Sequence, residues 1–317
     1  VSTKKVLVTG GAGFIGSNLV DALLASNHRV RVVDNFSTGK REFLSHHISN
    51  SSLEVLKADL SDEGICKNAV AGCDAVFHLA ANADVRHGWD HPLFDIQQNT
   101  VVTQSLLEAC RLTGIRKFVF SSTGSVYGDA KQIPTTEECP FPIQTSLYAA
   151  SKLAAEGLIG AYSEAGVIDA TIFRFVSILG PRYTHGHVYD FVKQLLADPT
   201  KLFVLGDGTQ TKSYLHINDC VAALVQSLGW NNPLGILNLG TTEVVQVRES
   251  IALITQALKC SPEIQYSGGN QGWVGDNPYI LLATDQIRST GWSTSATIAS
   301  SIVDTVNWLT ENRWVFN

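Results

Sequence analysis

The chain has 317 residues, 44% apolar and 16% charged, which is long enough for two domains and too apolar for disorder over most of its length. Its 23 Lys and Arg against 29 Asp and Glu leave a net charge of −6, which argues against a nucleic-acid backbone or an anionic membrane as partner. A small anionic ligand stays open, because a helix N-terminus holds phosphate without any basic side chain.

Taken in chain order, residues 5–8, 29–33, 53–57, 75–79, 117–120 and 170–173 are β-branched runs that read as strands. Residues 15–26, 93–113 and 146–165 between them read as helices. Strands alternating with helices imply parallel pairing through right-handed crossovers, hence an α/β fold with a doubly wound parallel sheet. After about residue 176 the rhythm changes to shorter helices, at 188–196, 218–228 and 247–259, divided by Gly- and Pro-rich turns, with a last helix at 297–312. The expected organisation is a first domain over 1–176 and a smaller C-terminal α/β domain over 177–317, with some of its segments packing back onto the first.

The first strand runs into Gly10-Gly11-Ala12-Gly13-Phe14-Ile15-Gly16. The glycines fit both G-x-x-G-x-x-G and G-x-G-x-x-G, and in either register they bring backbone N–H groups to a pyrophosphate at a helix N-terminus. The second strand ends in Asp34, where a carboxylate accepts the adenosine ribose hydroxyls and repels a 2′-phosphate, so NAD is favoured over NADP. Lys40 and Arg41 nearby temper that preference.

Tyr148 and Lys152 form Y-x-x-x-K on the helix at 146–165, one turn apart on one face. A Lys ammonium beside a phenol is expected to lower the Tyr148 pKa towards the working pH, which makes Tyr148 an acid/base and leaves Lys152 to hydrogen-bond the nicotinamide ribose. Thr123 and Ser125 follow the strand at 117–120, where they read either as hydroxyls offered to a substrate oxygen or as turn caps. Cys66, Cys73, Cys110, Cys139, Cys220 and Cys260 are widely spaced without a C-x-x-C pair and read as buried thiols of an intracellular protein. With no apolar stretch near the roughly 20 residues of a membrane span and no leader-like start, a cytoplasmic location is expected.

TGGAGFIG at 9–16, Asp34-Asn35, Ala58-Asp59-Leu60, His78 to Ala81, SSTGSVYG at 121–128 and YAASK at 148–152 occur in one order that resembles the extended short-chain dehydrogenase/reductases, within them the UDP-glucose/UDP-galactose 4-epimerase group. The resemblance implies a Rossmann-type NAD domain and a nucleotide-sugar substrate, UDP-linked by analogy. By it Thr123, Tyr148 and Lys152 are the catalytic residues. Gly10, Gly13, Phe14, Ile15, Gly16, Asp34, Asn35 and Thr38 contact the cofactor, Asp59 and Leu60 flank its adenine, Leu79, Ala80 and Ala81 line the nicotinamide side, Asn99 supports the site and Phe175 completes it. Ser125, Ser177, Val188, Leu205, Lys212, Tyr214, Trp273 and Asp276 are the substrate contacts it implies. No metal ligands are assigned, since His185-x-His187 lacks a third donor in the sequence.

Within such enzymes, relatives that eliminate water carry an Asp-Glu pair after the Thr, and decarboxylases carry a Glu before V-Y-G. Gly124-Ser125 supplies neither, so oxidation followed by re-reduction at C4 is the expected reaction. Ser177 stands where epimerases carry Asn, Lys212 where an Arg binds phosphate, and Gln271-Gly272-Trp273-Val274 lacks the usual Arg, so the sugar specificity stays open. A ketoreductase of another nucleotide sugar and a non-catalytic NAD-binding regulatory module are the competing readings. The helices at 93–113 and 146–165 pair across a homodimer in the resemblance, though packing within one chain would also account for their Leu and Ala.

Overall fold

A computed structural model describes residues 3–62, 64–82, 88–140, 143–269 and 279–316. The chain forms two compact units. The first comprises residues 1–128, 143–174 and 221–237, and the second 129–142, 175–220 and 238–317. Unit membership is therefore discontinuous: residues 221–237 return to the first unit, and 129–142 leave it for the second.

The first unit is built on β1 (Lys5–Thr9), β2 (Arg29–Asp34), β3 (Leu53–Lys57), β4 (Ala75–His78), β5 (Lys117–Thr123) and β6 (Asp169–Phe175). In the second half of the chain come β7 (Ser177–Leu179), β8 (Lys201–Val204), β9 (Thr211–Lys212), β10 (Tyr214–His216) and β11 (Leu234–Leu239). A seven-stranded sheet runs β11-β6-β5-β4-β1-β2-β3, and its pairs β1–β2, β2–β3, β1–β4 and β4–β5 are parallel. Each strand predicted in the first half is present. The order reverses between β1 and β4, the crevice where open α/β sheets take their ligands.

The connecting helices are α1 (Phe14–Ala25), α2 (Ile65–Val70), α3 (Pro92–Asp95), α4 (Val102–Thr113) and α5 (Leu147–Glu164). Leu106, Leu107 and Cys110 on α4 meet Phe118 and Phe120 of β5 and Ala155 and Ile159 of α5 in one core cluster. Each fully buried Leu or Phe there contributes about 1.5–3 kcal/mol. The region read as one helix over 93–113 is interrupted: a π-helical turn, Ile96–Val101, separates α3 from α4. The widened turn shifts the helical register and buries the polar Asn99, which apolar periodicity does not foresee.

The second unit holds α6 (His187–Ala197), β12 (Val245–Gln246), α8 (Val247–Leu258), β13 (Glu263–Tyr266), β14 (Tyr279–Ile280), α9 (Asp285–Ser289) and α10 (Ile298–Glu311), while α7 (Ile217–Ser227) crosses from it into the first. Its strands form three small sheets, β10-β7, β12-β9-β14 and β13-β8. Asp219 anchors the approach to α10, accepting N–H and O–H bonds from Ser295 while its carbonyl takes the Trp292 indole N–H at 2.9 Å. Among the described residues no helix is long and apolar enough to cross a membrane.

Candidate functional site

The glycine turn after β1 is dictated by close approach. Gly10 has φ +67°, and a Cβ there would lie 2.9 Å from Ala80 Cα. A Cβ on Gly16 would meet the Gly10 carbonyl at 2.2 Å. Gly13 donates its N–H to that carbonyl at 3.1 Å and opens α1 in extended backbone. No side chain caps α1 and no acidic residue occupies its first turn, so Phe14, Ile15 and Gly16 start a helix end suited to a pyrophosphate. Asp34 at the end of β2 accepts the Ala12 N–H at 2.9 Å and the Phe36 N–H at 2.8 Å. Burial raises its pKa, and these two donors oppose the rise. The carboxylate is thus held at the edge of the glycine turn with lone pairs left for a diol. Asn35 donates to Asp59 at 2.7 Å, while Leu60 is buried in the core and Thr38 is exposed. These residues fit an NAD adenosine and diphosphate.

At the crevice, Thr9 Oγ1 accepts the N–H groups of Leu79 and Ala80, both at 3.1 Å. With two donors accepted, its own proton goes to His78 Nδ1, 2.8 Å away. His78 therefore carries its proton on Nε2 and donates to Thr103 Oγ1 at 3.0 Å, which donates to the Asn99 carbonyl at 2.6 Å. The relay holds Leu79 and Ala80 against β1 and fixes the π-helical turn. The Asn99 side chain accepts the Asn82 N–H at 3.0 Å and donates to Ser151 on α5 at 2.9 Å. Ala81 follows directly, partly buried.

Burial, with the Lys152 charge adding to it, pushes the His78 pKa down to about 3. Below the ordinary value of 6.5 the unfolded chain binds a proton that folded His78 refuses, so stability falls as the pH drops from 6.5 towards 3. The loss between about pH 7 and about pH 4.5 is on the order of 2–3 kcal/mol. Urea unfolding at the two pH values should show a smaller loss in His78→Gln than in the parent chain, and an equal loss would rule this source out.

Ser146 opens α5 by accepting the Ala149 N–H at 3.1 Å, which sets Tyr148, Lys152 and Glu156 one turn apart on a single face. Tyr148 shares a hydrogen bond with Thr123. Thr123 Oγ1 also caps the short turn Gly124–Tyr127, accepting the Ser125 N–H at 3.1 Å with Ser125 Oγ 3.2 Å away. Of the two readings of the Thr123 hydroxyl, the turn cap is present, and the same hydroxyl also bonds Tyr148.

The expected lowering of the Tyr148 pKa by Lys152 is corrected by the structure. Burial and the charge of Asp95 push Tyr148 up to about 12, with the Thr123 bond opposing them. Burial also brings Lys152 down to about 7 against the pull of Glu156. Desolvation outweighs the ammonium because Lys152 is itself costly to charge there. Its Nζ donates to the Ser121 carbonyl at 2.9 Å and lies 4.5 Å from the centre of the Phe120 ring.

Behind the pair lies a buried charge network not anticipated from the sequence. Glu156 accepts from the Ser122 hydroxyl and from Arg174 Nη2 at 2.6 Å, and Arg174 Nη1 donates to the Tyr127 hydroxyl at 2.8 Å. Lys152, Glu156 and Arg174 are all at most 5% exposed. Glu156 was legible as the next residue of the Tyr148–Lys152 spacing, whereas Arg174 carries no local signal. Asp95 is also buried and newly seen: Asn82 donates to its Oδ1 at 2.9 Å, while Oδ2 has no hydrogen-bond partner among the described residues.

In the second unit, Ser177 on β7 is the register partner of Tyr214 on β10. The Tyr214 hydroxyl meets His187 Nδ1 at 2.9 Å, and His187 Nε2 meets Ser250 Oγ at 2.7 Å. Burial, helped by the Lys212 charge, pushes His187 down to about 4. Ser177, Lys212, Tyr214 and His187 are thereby gathered. His185 is exposed and stacks on Tyr183, so the two histidines do not converge. Val188 and Phe175 are buried and Leu205 is exposed. Trp273 and Asp276 lie outside the described residues, as do Gln271 and Gly275.

Residues 6–240 match the model of the NAD dependent epimerase/dehydratase family. A UDP-glucose 4-epimerase of Mycolicibacterium smegmatis is 36% identical over 312 residues, covering 96% of this chain and 98% of that protein. The UDP-glucuronic acid decarboxylase 2 of Arabidopsis thaliana is 33% identical over 270 residues, 83% of this chain and 59% of that protein. Among solved structures, the Thermus thermophilus UDP-glucose 4-epimerase in complex with NAD is 32% identical with a TM-score of 0.86, covering 96% of this chain and 99% of that one.

Proposed function

Because the chain belongs to the NAD-dependent epimerase/dehydratase family, we propose that it inverts C4 of a UDP-hexose through a transient 4-keto sugar. The observation that carries this reading is the Thr123–Tyr148 hydrogen bond beside a turn, Gly124-Ser125, that offers no carboxylate. By the family resemblance, elimination and decarboxylation use an acidic residue at this turn, and Gly124-Ser125 supplies none. Thr123 and Ser125 hydroxyls orient the sugar O4. Tyr148 Oη takes the O4 proton and later returns it, and Lys152, one turn further along α5, would hydrogen-bond the nicotinamide ribose. The glycine turn and Asp34 would hold NAD, whose nicotinamide would supply reversible hydride acceptance for C4. The net redox change is zero, so the dinucleotide stays bound.

Denaturing the purified protein should release NAD, and the native protein should interconvert UDP-galactose and UDP-glucose without net NADH. No C4 inversion across a panel of UDP-, GDP- and dTDP-sugars would sink the reading, and one NADH per turnover would replace it with the dehydrogenase alternative.

A homodimer is part of the same proposal. Leu93, Val101 and Leu112 remain 67%, 52% and 58% exposed along the α3–α4 segment. On neighbouring α5, Ala150, Ala154, Gly157 and Ala161 are exposed, and a Cβ on Gly157 would touch nothing within 4 Å. Such a paired apolar face suits helix packing against a second copy. Light scattering should give a dimer for the parent chain and a monomer for Val101→Glu; a monomeric parent would refute it.

A further inference from the structure

Away from the acid/base residues, three donor atoms of metal-ligand type converge in the first unit. Asp21 lies on α1, and His46 and His47 end the 3-10 turn Arg41–His47. Both imidazoles aim Nε2 at one oxygen: His46 and His47 each lie 3.0 Å from Asp21 Oδ1. Their ring centroids are 4.0 Å apart, tilted by 41°, and all three donor atoms lie within 4.8 Å of one another. The convergence is set by the core, because Phe43 and Leu44 of the same turn are buried and leave the two histidines facing α1. The histidine side chains are 46% and 20% exposed, so an ion reaches them from solvent.

We propose that Asp21, His46 and His47 bind a divalent transition cation of borderline softness, Zn2+ being the best match. Two imidazoles and one carboxylate are ligands typical of such ions, and water completes the four-coordinate sphere. Without the cation, each imidazole Nε2 hydrogen-bonds Asp21 Oδ1. On binding, each ring offers its Nε2 lone pair and carries its proton on Nδ1, and no electron is exchanged. His185 and His187 cannot act in the same way, since both His187 nitrogens are already engaged by Tyr214 and Ser250.

The place of the cluster gives binding a structural consequence. The turn at 41–47 continues from the segment after Asp34, which is tied to the glycine turn by the Lys40 N–H to Ala12 carbonyl bond at 2.9 Å. Arg41 also lies over the Phe36 ring at 4.5 Å. A cation joining this turn to α1 staples the ribose-side segment to the helix that starts at the glycine turn. No acid/base residue takes part, so the inference does not depend on the proposed reaction.

The test titrates ZnCl2 into chelator-treated full-length protein by calorimetry, with the melting temperature followed in parallel. The expected result is one Zn2+ per chain with micromolar or tighter affinity and a raised melting temperature. His46→Gln, His47→Gln and Asp21→Asn should each weaken binding at least about tenfold and abolish the thermal shift. All three positions are at least partly exposed, and circular dichroism checks their folding. Cys139→Ser/Cys260→Ser, which removes the two least buried thiols, should bind as the parent does. Failure of the parent to bind, or equal binding by parent and Asp21 or His variants, would overturn the proposal, the latter placing Zn2+ elsewhere.

Discussion

Tyr148→Phe should lower C4 inversion about a thousandfold while the protein keeps its fold and its NAD. The phenyl ring retains the packing of the tyrosine, and only the hydroxyl proposed to move the O4 proton is lost. Turnover measured with UDP-galactose, together with NAD released on denaturation, checks both halves of the statement. Retention of more than about a tenth of the parent rate would assign the proton to another group. The buried Asp95 charge acts on the same hydroxyl by raising its pKa. Asp95→Asn is therefore expected to move the acid limb of the pH–rate profile to lower pH, and a move to higher pH would contradict the assignment.

A second large effect is expected at the buried pair. Removing either Glu156 or Arg174 alone leaves an uncompensated charge in a dry interior, which costs about 3–5 kcal/mol. Both side chains are almost fully buried, so solvent screening offers little relief. Glu156→Gln/Arg174→Met removes both charges and should recover most of the loss in urea unfolding. The two single changes act on Lys152 with opposite sign. Without the Glu156 carboxylate the ammonium loses a partner that raises its pKa, so Lys152 falls below about 7. Without Arg174 the carboxylate is unneutralised and Lys152 rises. An NMR titration of the Lys152 side chain in isotopically labelled protein, assigned by its loss in Lys152→Met, reads this on the folded protein without substrate. Shifts in the same direction, or single variants as stable as the parent, would remove Glu156 and Arg174 from the control of the pair.

Much of the first unit was legible because its signals are local. The β-branched runs specify strands, and Gly10 and Gly16 lie where any side chain would strike backbone. Asp34 ends its strand beside the turn it serves, and Y-x-x-x-K needs only the pitch of a helix. The break at Ile96–Val101 was hidden, since a π-helical turn changes the register of a sequence whose apolar residues still suit one helix. The relay from Thr9 through His78 and Thr103 to Asn99 joins separate elements and leaves no periodic trace.

What the sequence determined by itself is the order of elements, the glycine turn, the carboxylate at Asp34 and the spacing of Tyr148, Lys152 and Glu156. Each depends on sterics and hydrogen bonds reaching only a few residues along the backbone. Tertiary structure alone decided the protonation chemistry: that Tyr148 is raised rather than lowered, that Lys152 titrates near 7, and that Arg174 closes the charge balance behind it. It also decided that Asp21 meets His46 and His47 while His185 and His187 part. The reason is that the cost of a charge depends on how much water packing removes and on which distant residues replace it. Neither quantity is written in the spacing of residues along the chain.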